Sequence, residues 1–274
     1  MTVRLFGRMS WLGYQLPIAA PERVWFEWLT NFTGLDIEPH EEGANAPVLA
    51  VLDDRQVLVE GRDLRTFASL DELKAWLFLT VSDVMISRGE FTTLHAAGFV
   101  VNDQALLVSG PPYSGKSSWT FAAHRRGLKV LSDDQVRVDL QTGIVHGLPR
   151  PLKRRLTTQE ADPRLSQYAV QAHHYGEFIA LEPRRTNGLA PVDRGYPVAR
   201  IIHLSRHKGL GVEVRDLDQF RACQSILDQL RAYSPKFLVD AAAAARILSR
   251  LPNIHMSVGD GQIEPALDMA LALT

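Results

Sequence analysis

A single cysteine, Cys223, leaves no partner for an internal disulfide and fits a reducing compartment. It falls in an expected amphipathic helix, where cysteine serves as a small buried hydrophobe rather than a nucleophile. Neither sign of charge is in excess. Against 31 Asp and Glu stand 30 Lys and Arg, and the net charge of −1 points to neither nucleic acid nor a membrane surface. No apolar run approaches the roughly 18 residues of a spanning helix, and the alanine tract 241–245 is closed by Arg246. After Arg4 and Arg8 no uninterrupted apolar segment with a small-residue cleavage site follows. Internal repeats and long biased stretches are absent as well. The expectation is a soluble cytoplasmic protein without nucleic-acid or membrane partners. Apolar residues at 46% suffice for a core in one large domain with a smaller one attached.

Residues 1–66 read as a small α+β unit. Val3–Phe6 and Trp11–Leu16 look like short strands, Pro21–Leu29 opens a helix, and Pro47–Leu52 with Gln56–Glu60 forms a hairpin-like pair. The aromatics Trp11, Tyr14, Trp25, Phe26 and Trp28 suit either core packing or a binding surface. From residue 67 to 274 a second, nucleotide-binding domain is expected. It begins with a capping box, Ser69-Leu70-Asp71-Glu72, and a broad-faced helix ending at Gly89.

The densest signal lies at Gly110-Pro111-Pro112-Tyr113-Ser114-Gly115-Lys116-Ser117, which satisfies G-x-x-x-x-G-K-[ST] at every fixed position. An apolar strand, Ala105–Ser109, enters it and a helix opening at Ser118 leaves it, closed by Gly127. Backbone N–H groups between Gly110 and Ser118, which Pro111 and Pro112 lack, then face phosphates, Lys116 reaches the β- and γ-phosphates, and the Ser117 hydroxyl ligates Mg²⁺. The entering strand is preceded by Gly98–Val101 and a tight turn, Asn102-Asp103-Gln104. So short a link makes the two strands antiparallel, unlike ordinary doubly wound nucleotide-binding sheets.

After the loop helix, Leu128–Ser132 forms a strand that ends in Asp133-Asp134. Carboxylates at a strand end beside a phosphate loop serve metal binding or proton transfer, or else cap a solvated turn. A second hairpin, Val136–Val145, leads into a basic run. There Arg150, Lys153 and Arg154 either hold a charged substrate or form a solvated face. Residues 157–196 read as long loops, and the adjacent His173 and His174 lack metal-ligand spacing. Pro197–Ser205 and Val212–Val214 are strands around a turn at Arg206–Gly209. A helix capped by Asp216 runs to about Ala232, and a helix from Ser234, the strand Asn253–Val258 and a terminal helix complete the chain.

The run Leu94-His95-Ala96-Ala97-Gly98, the hairpin, the glycine loop and Arg126-Gly127-Leu128-Lys129-Val130-Leu131-Ser132-Asp133-Asp134 resemble the core of the HPr kinase/phosphorylase family. The likeness is greatest to its shorter relatives, some of which accompany lasso-peptide clusters, and its strong part covers about 40 residues. It implies an α/β phosphate-loop kinase core with a mixed sheet, related to phosphoenolpyruvate carboxykinase. It also implies that Lys116 holds the phosphates of ATP, Ser117 and Asp134 serve Mg²⁺, Asp133 is the general base, and His95 lies near the transferred phosphate. His95 can equally be a core histidine. The family's downstream glutamate-containing strand motif has no counterpart here; Pro149–Arg154 stands in that part of the chain. The function implied is transfer of the γ-phosphate to a serine of a peptide or small protein, such as a natural-product precursor. A small-molecule kinase and a non-catalytic nucleotide-binding module are the alternatives, and a homo-oligomer is left open.

Overall fold

The computed structural model describes residues 5–41, 46–155, 172–175, 178–182, 184 and 188–274. In chain order the first elements are β1 (Leu5–Trp11), β2 (Tyr14–Ala20), α1 (Arg23–Thr33), β3 (Ile37–Pro39), β4 (Leu49–Asp53), β5 (Gln56–Val59), β6 (Asp63–Thr66) and α2 (Leu70–Arg88). Then come β7 (Thr92–Leu94), β8 (Ala96–Val101), β9 (Gln104–Ser109), α3 (Lys116–Arg125), β10 (Lys129–Ser132), β11 (Val136–Val138) and β12 (Val145–Gly147). They are followed by β13 (Leu152–Arg155), β14 (Ala172–Tyr175), β15 (Phe178–Leu181), β16 (Val198–Arg206) and β17 (Val212–Asp216). Last are α4 (Gln219–Gln229), β18 (Leu230–Ala232), α5 (Phe237–Leu248), β19 (Asn253–Val258) and α6 (Ile263–Ala272). The architecture is mixed α/β, and among the described residues no helix is long and apolar enough to cross a membrane.

Contacts divide the chain into Met1–Gly89 with Pro149–Asn187, and Glu90–Leu148 with Gly188–Thr274. This is not the single cut at 66/67 expected above. Helix α2 packs on β2 and β14, so it joins the first unit rather than opening the second.

In the first unit a sheet of order β3-β1-β2-β4-β5-β6 is accompanied by the three-stranded β13-β15-β14. Trp11 and Trp25 are buried, and Phe32, edge-on to Phe78 at 5.3 Å, builds a small core with Ala180. Trp11 and Trp25 are packing residues, as the core reading had it. The capping box of α2 forms: Ser69 Oγ accepts from the Glu72 N–H at 3.2 Å, and Glu72 accepts from the Ala68 N–H at 2.7 Å.

In the second unit β8 and β9 form the antiparallel hairpin expected from their short link. Its turn is made by Asn102 (φ 48°) and Asp103 (φ 59°), residue types that tolerate the left-handed region. The sheet they start has order β10-β8-β9-β16-β19-β17, and β9, β16 and β19 run parallel within it. Alternation along β9 and β16 splits its core in two. Leu106, Val108, Ile202 and Leu204 pack with Trp119, Ala122 and Ala123 of α3 and with α6. Ala105, Leu107 and Ile201 pack on the other face with Ile226 of α4 and with Ala244, Ala245 and Leu248 of α5. A second sheet, β12-β11-β7-β18, completes the unit. Both ends of α4 differ from expectation. Asp218, not Asp216, caps α4, and the chain from Leu230 leaves the helix to pair with Thr92–Leu94.

Candidate functional site

Gly110 leaves β9 against the neighbouring strand. A Cβ there would meet the Leu204 carbonyl oxygen at 2.5 Å and Ser114 Oγ at 3.0 Å, so only glycine passes. The loop closes with Ser114 N–H on the Pro111 carbonyl at 3.2 Å, and Tyr113 (φ 65°) and Gly115 (φ 104°) take left-handed conformations. A tyrosine at positive φ is uncommon and carries backbone strain. Tyr113 is also the most exposed large side chain of the loop, at 87%.

The loop delivers the chain to α3 without a cap. Gly115 is the N-cap residue and no side chain bonds the helix start, which leaves the first N–H groups without intrahelical acceptors. The buried Ser114 Oγ likewise has no hydrogen-bond partner among the described residues. Lys116, buried to 7% exposure, folds back so that Nζ donates to the Gly110 carbonyl at 2.7 Å and the Pro111 carbonyl at 3.1 Å. Burial lowers its pKa from the ordinary lysine value, and the charge of Asp134 opposes that shift. Ser117 is exposed and Ser118 half-buried. Uncapped N–H groups, a buried unpartnered hydroxyl and a cation bridging the loop carbonyls fit phosphate oxygens.

The carboxylates arrive on β10. Its pairing with β8 shifts register between Val130 and Ser132, which turns the chain out of the sheet. Ser132 Oγ then accepts from the N–H groups of Asp134 at 3.4 Å and Gln135 at 3.3 Å. Because Val136 pairs with Leu94, the adjoining Asp134 and His95 come together, with His95 Nε2 2.9 Å from Asp134 Oδ1. The His95 backbone is held on both sides: its N–H donates to the Gln229 carbonyl at 2.9 Å, and its carbonyl accepts from Ser109 Oγ at 3.5 Å. The packed-histidine reading of His95 thus gives way to a half-buried one paired with a carboxylate. Asp133 is 1% exposed, while the side chain of Asp134 is 28% exposed.

The structure therefore gathers Lys116, His95 and Asp134 around the loop, with Asp133 beside them on the chain. Among the described residues no cluster of three His, Cys, Asp or Glu side chains could hold a metal by itself. The oxygens of Ser117 and Asp134 suit Mg²⁺, which is commonly held by one or two protein oxygens together with substrate phosphates. Arg150, Lys153 and Arg154 belong to the other compact unit. Arg150 is buried to 6% exposure, so it is not part of a solvated face, and Lys153 Nζ lies 6.0 Å from the Phe78 ring centroid. The Arg154 side chain lies outside the described residues, as do those of His173 and His174. One cation at the loop was read from sequence only as part of a turn: Arg206, at the carboxyl end of β16. The available signal was a basic residue ending an apolar strand, since ligands bind at the carboxyl ends of parallel strands.

No family model matches the chain, and no curated protein matches it. Among solved structures, the Hpr(Ser) kinase/phosphatase from Coxiella burnetii aligns with 66% of this chain and 93% of its own, at 13% identity and a TM-score of 0.35.

Proposed function

We propose that the second unit binds ATP at Gly110–Ser118 and transfers its γ-phosphate to a hydroxyl, with a serine of a peptide or small protein as acceptor. One observation carries this reading: a glycine loop with an uncapped helix start and an inward-folded lysine lies beside a histidine–carboxylate pair. A loop that only turned the chain would need neither the lysine nor the acids. A hairpin rather than a crossover feeds the phosphate loop, since β8 pairs antiparallel with β9, and this supports a core of the kind that the resemblance to HPr kinases implies.

Lys116 exchanges its loop carbonyls for phosphate oxygens, and the N–H groups at the start of α3 hold the remainder. Bound Mg²⁺, with Ser117 and Asp134 as its protein oxygens, would neutralise charge on the β- and γ-phosphates. Asp133 takes the proton of the acceptor hydroxyl as the new O–P bond forms and the bond to ADP breaks. A positioned base of this kind contributes roughly 10²–10⁴-fold. Burial favours a second assignment of the two acids. Asp134 is the more exposed, and His95 orients it, so Asp134 can act as the base with Asp133 supporting the metal.

The test is incubation with γ-labelled ATP, Mg²⁺ and candidate acceptors, using the wild type, Asp133→Asn and Asp134→Asn. Label on a peptide that falls ~10²–10⁴-fold in one variant, with a raised Mg²⁺ requirement in the other, supports the kinase and assigns the two roles. Label on a metabolite moves the acceptor to small molecules. ATP binding without transfer to any acceptor makes this a nucleotide-responsive regulatory module instead.

A further inference from the structure

Strand β16 runs parallel to β9 with His203 level with Ser109, so its last residues pass alongside the phosphate loop. Leu204 provides the carbonyl that presses on Gly110. Two residues on, and hence on the same face of the strand, is Arg206. Its Nη1 lies 3.8 Å from the position of a Cβ on Gly115, and among the described residues nothing else beyond the adjoining ones comes within 4 Å of that point. The guanidinium thus stands over the start of α3, in the space that the glycine leaves open.

Its position is set from behind. Arg206 pairs with Val258 at the end of β19, and the following turn is tied to the same strand end. The Gly259 N–H donates to the Gly211 carbonyl at 2.9 Å and the Asp260 N–H to the Gly209 carbonyl at 2.7 Å. A Cβ on Gly259 would come 2.3 Å from the Gly209 oxygen, so this clamp requires glycine. The acid nearest to Arg206 among its described ion pairs is Asp260, at 3.8 Å with 73% of its side chain exposed. A pair that long and that wet holds the arginine weakly.

We propose that Arg206 is a second phosphate-binding cation of the site, placing its fork of N–H donors on the phosphate chain across the start of α3. The inference rests on the nucleotide reading above. The charge of Asp134 already acts on Lys116, so the lysine alone leaves most of a bound triphosphate unbalanced. A planar guanidinium suits two oxygens at once, which lysine does not.

Equilibrium binding of ATP and AMP with Mg²⁺ to the full chain tests it, comparing wild type, Arg206→Ala, Arg206→Lys and Lys116→Ala. Unliganded melting temperatures are measured alongside. Loss of a charge-assisted contact predicts ATP affinity ~10–100-fold lower in Arg206→Ala, a smaller change for AMP, and partial recovery in Arg206→Lys. The unliganded melting temperature is expected to stay at the wild-type value. If Arg206→Ala binds ATP as the wild type does while Lys116→Ala fails, the role of Arg206 is refuted and the nucleotide site stands. An equal loss for AMP, or a loss matched by a lower unliganded melting temperature in both Arg206 variants, also overturns it. A wild type that binds no ATP overturns both.

Discussion

Replacing Gly110 by alanine tests how tightly the loop is built. The new Cβ would sit 2.5 Å from the Leu204 carbonyl oxygen, a backbone atom inside a paired strand that cannot rotate away. Restoring an ordinary separation of about 3.4 Å moves loop or strand by about 0.9 Å. Overpacking of this kind costs about 1–3 kcal/mol, which lowers the melting temperature by several degrees in a chain of this size. A shift approaching 1 Å at a phosphate cradle also lowers single-turnover transfer by about 100-fold. Gly127→Ala is the control. Gly127 has φ +76° and, among the described residues, nothing within 4 Å of a Cβ, so it bears only the left-handed backbone cost of about 1–2 kcal/mol. Thermal unfolding together with single-turnover transfer of labelled phosphate separates the two. Both variants are destabilised, and only Gly110→Ala loses transfer beyond its loss of folded protein. Wild-type turnover in Gly110→Ala would refute the claim that the Leu204 carbonyl sets the loop's position.

Two further outcomes follow from named groups. The buried His203 donates from Nε2 to Asn253 Oδ1 at 2.8 Å, because the Asn253 amide nitrogen is already committed to the Leu248 and Leu251 carbonyls. Its Nδ1 therefore accepts from Ser225 Oγ, and burial lowers its pKa below the ordinary histidine value. A depressed folded-state pKa means that the unfolded chain takes up the proton first. Stability is then full above about pH 6.5 and is lost as pH falls through the folded-state pKa; His203→Gln should flatten that limb in pH-dependent denaturant unfolding. If Arg150 and Lys153 recognise the acceptor, alanine at both lowers kcat/KM for the acceptor and leaves ATP affinity nearly unchanged. Unchanged acceptor kinetics would make them structural residues of their own unit.

How much could be read beforehand depended on whether the cause was local. The hairpin β8–β9, the capping bond from Glu72 to Ser69 and the strand–loop–helix order around Gly110–Ser117 are each specified within a few residues, and each forms as expected, with the helix starting at Lys116 rather than Ser118. The first hairpin was half legible. Its turn at Leu12 and Gly13 (φ 49° and 87°) was taken into a strand, and Pro17, which discourages a strand assignment, lies inside β2 opposite Arg8. What was missed is held by distant partners. Strand β7 is three residues long and exists because Val136 pairs with Leu94 on one side and Leu230–Ala232 on the other. The same pairing ends α4 at Gln229 and brings His95 to Asp134, a contact that neither residue's neighbours announce. The two-unit division has a similar origin, since Pro149–Asn187 returns to the N-terminal segment from across the chain. Arg206 follows the same rule: its closeness to Gly115 exists only once β16 lies beside β9.

The central claim is that Gly110–Ser118 holds the phosphates of a nucleoside triphosphate. Calorimetric titration of the wild type and Lys116→Ala with ATP and Mg²⁺ tests it most directly. Lys116 is buried in the loop, and among the described residues its ammonium bonds only loop carbonyls. The account predicts saturable one-to-one binding by the wild type and a loss of at least about 10–100-fold in Lys116→Ala, the cost of removing a charge-assisted contact. Equal affinity in the two proteins, or no binding by the wild type, would contradict it.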